Sequence, residues 1–175
     1  MQDRRSKENS WVTLLTLLFR GLVFQRFIIK RHRTAYVRLG KDLEEYNVEM
    51  NANVDTKNNI LGETSVTLDS YQPQATADPF YAVVGDPMFE RLQGIIDERQ
   101  TLDDLKTTVV EVHLWESASG AAGSYVAYRE DVIIEVSSYG GDTTGYQIPF
   151  NVHHTGNRVK GTFALETKTF TPDSE

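Results

Sequence analysis

Hydrophobic and polar residues alternate in short runs along most of this chain. In "YNVEMNANV", Tyr46, Val48 and Met50 fall on one side, and Asn47, Glu49 and Asn51 on the other. That is the period-two pattern of a half-buried strand. "TSVTLDSY" repeats it with Val66 and Leu68. The stretch between them, "NANVDTKNNILGE", is rich in asparagine, closes on a glycine and reads as an exposed loop; such loops often carry contacts. "YQPQATADPFYA" holds Pro73 and Pro79. Each removes a backbone donor, which argues for a connector rather than a central strand. Tyr71, Phe80 and Tyr81 are placed to pin that connector to the body.

The period changes once. "DPMFERLQGIIDERQ" predicts a helix over about 86–100, with Asp86 as its cap and Pro87 in its first turn. Met88, Leu92, Ile95 and Ile96 form its apolar stripe, extended by Arg99. Alternation then returns. Val110, Val112 and Leu114 alternate with Glu111, His113 and Trp115, and "ESASGAAGS" turns the chain into the next strand. Val132, Ile134 and Val136 share a face, and "SYGGDTTG" turns the chain again. Ile148, Phe150 and Val152 are expected to pair with Val159, Gly161 and Phe163 across "HTGN". Short turns between two-faced strands mean antiparallel pairing. The fold class predicted is mainly β: an antiparallel sandwich or partly open barrel with one packed helix.

Composition changes this picture only at the N-terminus. Residues 1–41 carry ten Lys/Arg and two Asp/Glu, or +8; residues 42–175 carry eight and 23, or −15, giving the net −7 of the 175-residue chain. "WVTLLTLLFRGLVFQRFII" has nearly the length of a membrane span. About a dozen apolar residues at roughly −0.5 kcal/mol each are nearly cancelled by Arg20 and Arg26 at up to about +3 each. Asp3, Glu8 and the lack of a small-residue cleavage site fit a secretory signal poorly. The helical wheel allows an interfacial helix here, interrupted by Val12, Phe19 and Val23. The chain therefore divides into a basic, apolar extension, 1–34, and a β domain, 35–175. The expectation is that a start placed too far upstream accounts for the extension, with a separate arm as the alternative. No membrane is expected for the body.

Candidate chemistry is sparse. With no cysteine, disulfides, thiolate nucleophiles and cysteine-bound zinc are excluded. The acidic body argues against ordinary duplex-DNA binding, whose phosphate contacts need Lys and Arg. His153 and His154 are neighbours in a strand, so their side chains leave opposite faces and do not share one metal; their place at the strand end suits solvent exposure. No HExxH and no phosphate-cradling glycine loop occurs, and "GETS" and "SSYGG" lack the spacing of a nucleophile elbow. The acidic pairs Glu44–Glu45, Asp103–Asp104 and Glu130–Asp131 lie in turns or alternate across strand faces. The expectation is a non-enzyme with no cofactor and no metal.

The order of segments carries a resemblance. "YVRLGKDLEEYNVEMNANVDTKNNILGETSVTLDSYQPQATADPFYA", "VVEVHLW", "AYREDVIIEVSSYGGDTTGYQIPF" and "VKGTFALETKTFTP" together resemble the major tail (tail tube) proteins of long-tailed, siphovirus-type phages of Gram-positive bacteria. The likeness runs from Tyr36 to Pro172, and Ser65–Phe80 and Gly161–Phe170 are its most specific parts; the first thirty residues have no counterpart. The resemblance implies a virion protein whose copies form rings, six-fold in relatives, that stack into a hollow tube. The tube conducts DNA into the host without binding it specifically. Implied partners are further copies of the chain, the tape measure, the tail terminator and the distal tail or baseplate. A long loop bridges rings in that family; Asn51, Asn53, Asp55, Lys57, Asn58, Asn59 and Leu61 are the candidates here. Glu111, His113, Glu130 and Glu135 are the candidates for the lumen sheet. The alternative is a monomeric carbohydrate-binding or adhesin-like β-sandwich, which needs a platform of aromatics; Trp115 is the one exposed aromatic in prospect.

Overall fold

The computed structural model describes residues 36–40, 42–118 and 123–173, together with the backbone of Phe24–Ile28. It is mainly β: a curled antiparallel half-barrel sheet with one helix against it. The strands are β1 (Phe24–Ile28), β2 (Tyr36–Arg38), β3 (Tyr46–Glu49), β4 (Ala52–Asn58), β5 (Thr64–Tyr71), β6 (Gln74–Ala77), β7 (Lys106–Ser117), β8 (Ser124–Val136), β9 (Gly140–Asp142), β10 (Gly145–Gln147), β11 (Phe150–His154), β12 (Val159–Ala164) and β13 (Thr169–Pro172). The main sheet runs β2-β1-β7-β8-β11-β6-β3, with β12 and β13 branching from β8.

The branch organises the molecule. β7 lies along one side of the 13-residue strand β8. On its other side, β12 pairs with Ser124–Arg129 and β11 with Val132–Val136. Glu130 and Asp131 fall between the two partners. The sequence pairs β11 with β12 across "HTGN"; instead both pair with β8, and that turn carries the chain from one half of β8 to the other. The connector is also corrected. Pro73 and Pro79 bracket a four-residue strand, β6, paired with β11 on one side and β3 on the other. The prolines stand outside the hydrogen-bonded residues, so they limit the strand's length and do not exclude it.

The helix α1 (Pro87–Glu98) starts where expected. The Asp86 carboxylate accepts from the Met88 N–H at 2.7 Å and Pro87 occupies the first turn. Met88, Leu92 and Ile95 are buried against Ala75, Ala77, Val132, Ile134, Phe150 and Val152. Arg99 does not extend that stripe. It takes a left-handed conformation (φ 50°) and its N–H closes on the Ile95 and Ile96 carbonyls, ending the helix. A second cluster, Tyr36, Val110, Val112, Ala127 and Phe163, packs the other face of the sheet at its β12 end. Tyr36 meets Phe163 edge to face at 5.4 Å. Of the N-terminal extension, Phe24–Ile28 is a strand paired with β7 and β2, and not a helix; the rest of that segment lies outside the described residues.

Candidate functional site

Three arrangements stand out among the described residues. The first is an arm. Ala52–Asn58 is not a loop: it pairs with β5 from Ala52↔Tyr71 to Asn58↔Thr64, with a bulge at Asn53/Val54. Every residue of β4 is exposed, so no burial pattern betrays the strand. β4 and β5 contact each other and make no substantial contact with other elements. Val54, Val66 and Leu68 are exposed along the arm, and Ile60 and Leu61 at its tip are 103% and 78% exposed. The tip is nevertheless ordered by Asn59, whose side-chain oxygen accepts from the Leu61 and Glu63 N–H groups at 3.0 Å each. Asn53, Asp55, Lys57, Asn58, Asn59 and Leu61 all lie on this arm, and Asn51, in a left-handed turn (φ 42°), leads into it.

The second is the face of the sheet away from α1, which among the described residues is bare at its β3–β6–β11 end and is called the bare face below. Alternation and register put Asn47, Thr76, Asn151 and Glu135 in one row across β3, β6, β11 and β8. Glu49, Gln74, His153 and Ile133 form the next. This is the side away from α1. Thr76 Oγ1 donates to Asn151 Oδ1 at 3.1 Å, and His153 Nε2 meets Glu135 Oε2 at 2.6 Å. The hydrogen bond to His153 chiefly, with help from Asn151, holds the Glu135 carboxyl below the usual glutamate range, against the opposing effect of burial. Glu49, Glu135 and Asp131 supply carboxylates here; of the cations that register puts on the same face, Lys106 pairs with Asp103 at 2.6 Å and Arg129 lies over the Phe170 ring.

The four lumen candidates are thereby separated. Glu135 lies on the bare face. Glu111, His113 and Glu130 point to the opposite, helix-side face, and Glu130 is buried (5% exposed). The same split divides the two histidines. His153 is half-exposed on the bare face. His154 is not solvent-exposed: its side chain is 6% exposed and its Nδ1 meets Glu130 Oε2 at 2.9 Å. Glu130 also accepts from the Gly156 N–H at 2.9 Å, and Asp131 binds Thr155 and Asn157. Glu130 and Asp131, the two residues left between β11 and β12, thus clasp the "HTGN" turn onto β8. One histidine of the turn is part of the core.

The third is an aromatic stack on the helix-side face, beyond the helix. His113 and Trp115 are stacked with centroids 4.5 Å apart and planes 21° from parallel. Tyr128, from β8, lies 5.1 Å from His113, and the Arg158 guanidinium lies 4.4 Å over Tyr128. Arg158 also pairs with Glu111 at 2.6 Å. That His113 and Trp115 share a strand face was legible; Tyr128 comes from β8 and Arg158 from just before β12, and only register knowledge would have found them.

Among the described residues no three His, Asp or Glu side chains converge as metal ligands, and no helix is long and apolar enough to cross a membrane. No protein-family model matches the chain, and comparison with curated proteins yields no match.

Proposed function

We propose that this chain is a structural subunit of a phage tail tube, whose copies close into rings and stack around a channel for DNA. The observation that carries the reading is the β4–β5 arm. A two-stranded hairpin is at best marginal alone in water, and among the described residues this one displays Val54, Val66, Leu68, Ile60 and Leu61 with no substantial contact to another element. An ordered arm with an apolar surface and no core is explained by a second copy that covers it. Two further features agree. Among the described residues the main sheet ends in β2, β3 and β13, strands of three or four residues with an open side, and head-to-tail closure consumes such edges. At its β3–β6–β11 end the face away from α1 is polar and carries Glu49 and Glu135, which suits a wall past which phosphate slides. In this reading the wall carries Glu135 and Glu49, and α1 faces outward. The tape measure, terminator and distal tail proteins would be its partners, and the virion its location.

Negative-stain microscopy of the purified chain at high concentration tests this directly. Rings or hollow rods are expected. A chain in which residues 54–68 are replaced by a short Gly-Ser turn should fold, keep α1 and its core, and stay monomeric. Persistent monomers of the intact chain at every concentration and salt would overturn the reading.

A further inference from the structure

A single exposed tryptophan needs no explanation; a tryptophan held in a fixed orientation does. β7 and β8 fall out of step around it. Five steps along β7, from Val112 to Ser117, face only two along β8, from Ala127 to Tyr125. The surplus residues include His113 and Trp115, and such bulges re-aim side chains. The ring is then locked from behind. His113 backs one face of the indole. His113 is itself held by Tyr128, by Glu111 at 3.5 Å from Nε2 and by Glu116 at 3.8 Å from Nδ1. Among the described residues nothing covers the other indole face, and Trp115 is 67% exposed.

We infer that Trp115, backed by His113 and rimmed by Glu116, is a binding platform for neutral pyranose sugars. The geometry selects that class. The rings are nearly parallel and offer one flat open face, which fits the C–H face of a pyranose; those hydrogens are weakly positive and meet the negative face of the indole. Glu116, half-exposed at the rim, is an acceptor for sugar hydroxyls. Anions and nucleic acids are disfavoured, because the one guanidinium on the stack, Arg158, is already neutralised by Glu111. Cationic ligands are better held by rings arranged as a box around the charge, and here the rings are layered. Because the platform is already ordered, little side-chain entropy is lost on binding. It lies on the helix-side face, opposite the acidic wall, and it does not depend on the tube reading: a monomer would carry it too. If copies repeat along a tube, contacts that are weak singly gain by avidity.

The test is saturation-transfer NMR of the full chain with neutral oligosaccharides, sialylated oligosaccharides and choline as separate probes. Neutral pyranoses are expected to bind, and binding should survive about 0.5 M salt, where exposed charge attraction is screened. Trp115→Ala, at an exposed position, should leave the fold intact and weaken binding at least about tenfold. Glu116→Gln should weaken it by a smaller factor. Glu90→Gln, on the exposed side of α1, should leave it unchanged. Absence of transfer from every neutral sugar, transfer undiminished in Trp115→Ala, or transfer confined to choline and lost in salt would each overturn the inference. So would a Trp115→Ala chain that fails to self-associate while the intact chain binds no sugar, since Trp115 would then be a contact between copies.

Discussion

Glu130 and His154 are both nearly closed to solvent and meet in the interior, where a polar group stripped of its partner has no water to replace it. Removing one member of such a pair commonly costs about 3–5 kcal/mol. His154→Ala is therefore expected to lower unfolding free energy by about 3 kcal/mol in urea titrations. Glu130→Ala should cost more, because it also frees the Gly156 N–H that closes the turn. A loss below about 1 kcal/mol for both, the scale of an exposed pair, would mean the clasp is open to water. Glu135 gives a contrasting case. Its folded pKa is depressed, so its contribution to stability is present above the unfolded value of about 4.3 and is lost as pH falls through the folded midpoint. The side chain is half-exposed, so solvent screening keeps that contribution below about 1 kcal/mol. In an NMR titration Glu135 should protonate below the other exposed glutamates, and His153→Ala should move it back toward them. No movement would mean the 2.6 Å contact does not persist in solution.

The elements themselves could be read where one face is buried and could not where none is. α1, β7, β8 and β11 alternate or cycle against a core, and their residue types show it. β4 is exposed on both faces, so its "NANVDTKN" has no reason to alternate and reads as a loop; its strand character comes only from β5. Pairing was less legible still. Which strand lies beside β8 depends on contacts between distant residues, and the forked arrangement of β11 and β12 leaves no mark in local pattern. The candidate site divides the same way. The exposure of Asn51 to Leu61 could be read from their polarity, whereas the buried His154 was missed because its neighbour His153 has the same chemistry and the opposite surroundings. One close approach makes the fork testable. A Cβ on Gly161 in β12 would run into the Thr171 carbonyl and the Phe170 ring of β13. Backbone gives way poorly, so Gly161→Ala should cost about 2–4 kcal/mol and release β13 from the sheet, read as faster amide exchange at Thr169–Pro172. Wild-type exchange in that variant would mean β13 is not docked as described.

At the scale of the whole molecule, the sheet's two faces make opposite predictions for the same change in charge. The bare face carries Glu49 and Glu135, while α1 presents the exposed Glu90 and Glu98 to the other side. Glu49→Lys with Glu135→Lys, and Glu90→Lys with Glu98→Lys, alter net charge equally, so bulk attraction to DNA rises equally in both. If copies stack into a tube as proposed, only the first pair would convert the channel wall from repelling phosphate to holding it. Assembled tubes of the first variant should therefore retain duplex fragments in a form protected from nuclease, released as salt rises because each neutralised phosphate gives back counterions. Tubes of the second should bind DNA that remains digestible, on the outside, and unaltered tubes should retain little. Equal protection by both variants, or protection by the α1 variant alone, would place the acidic face somewhere other than the bore.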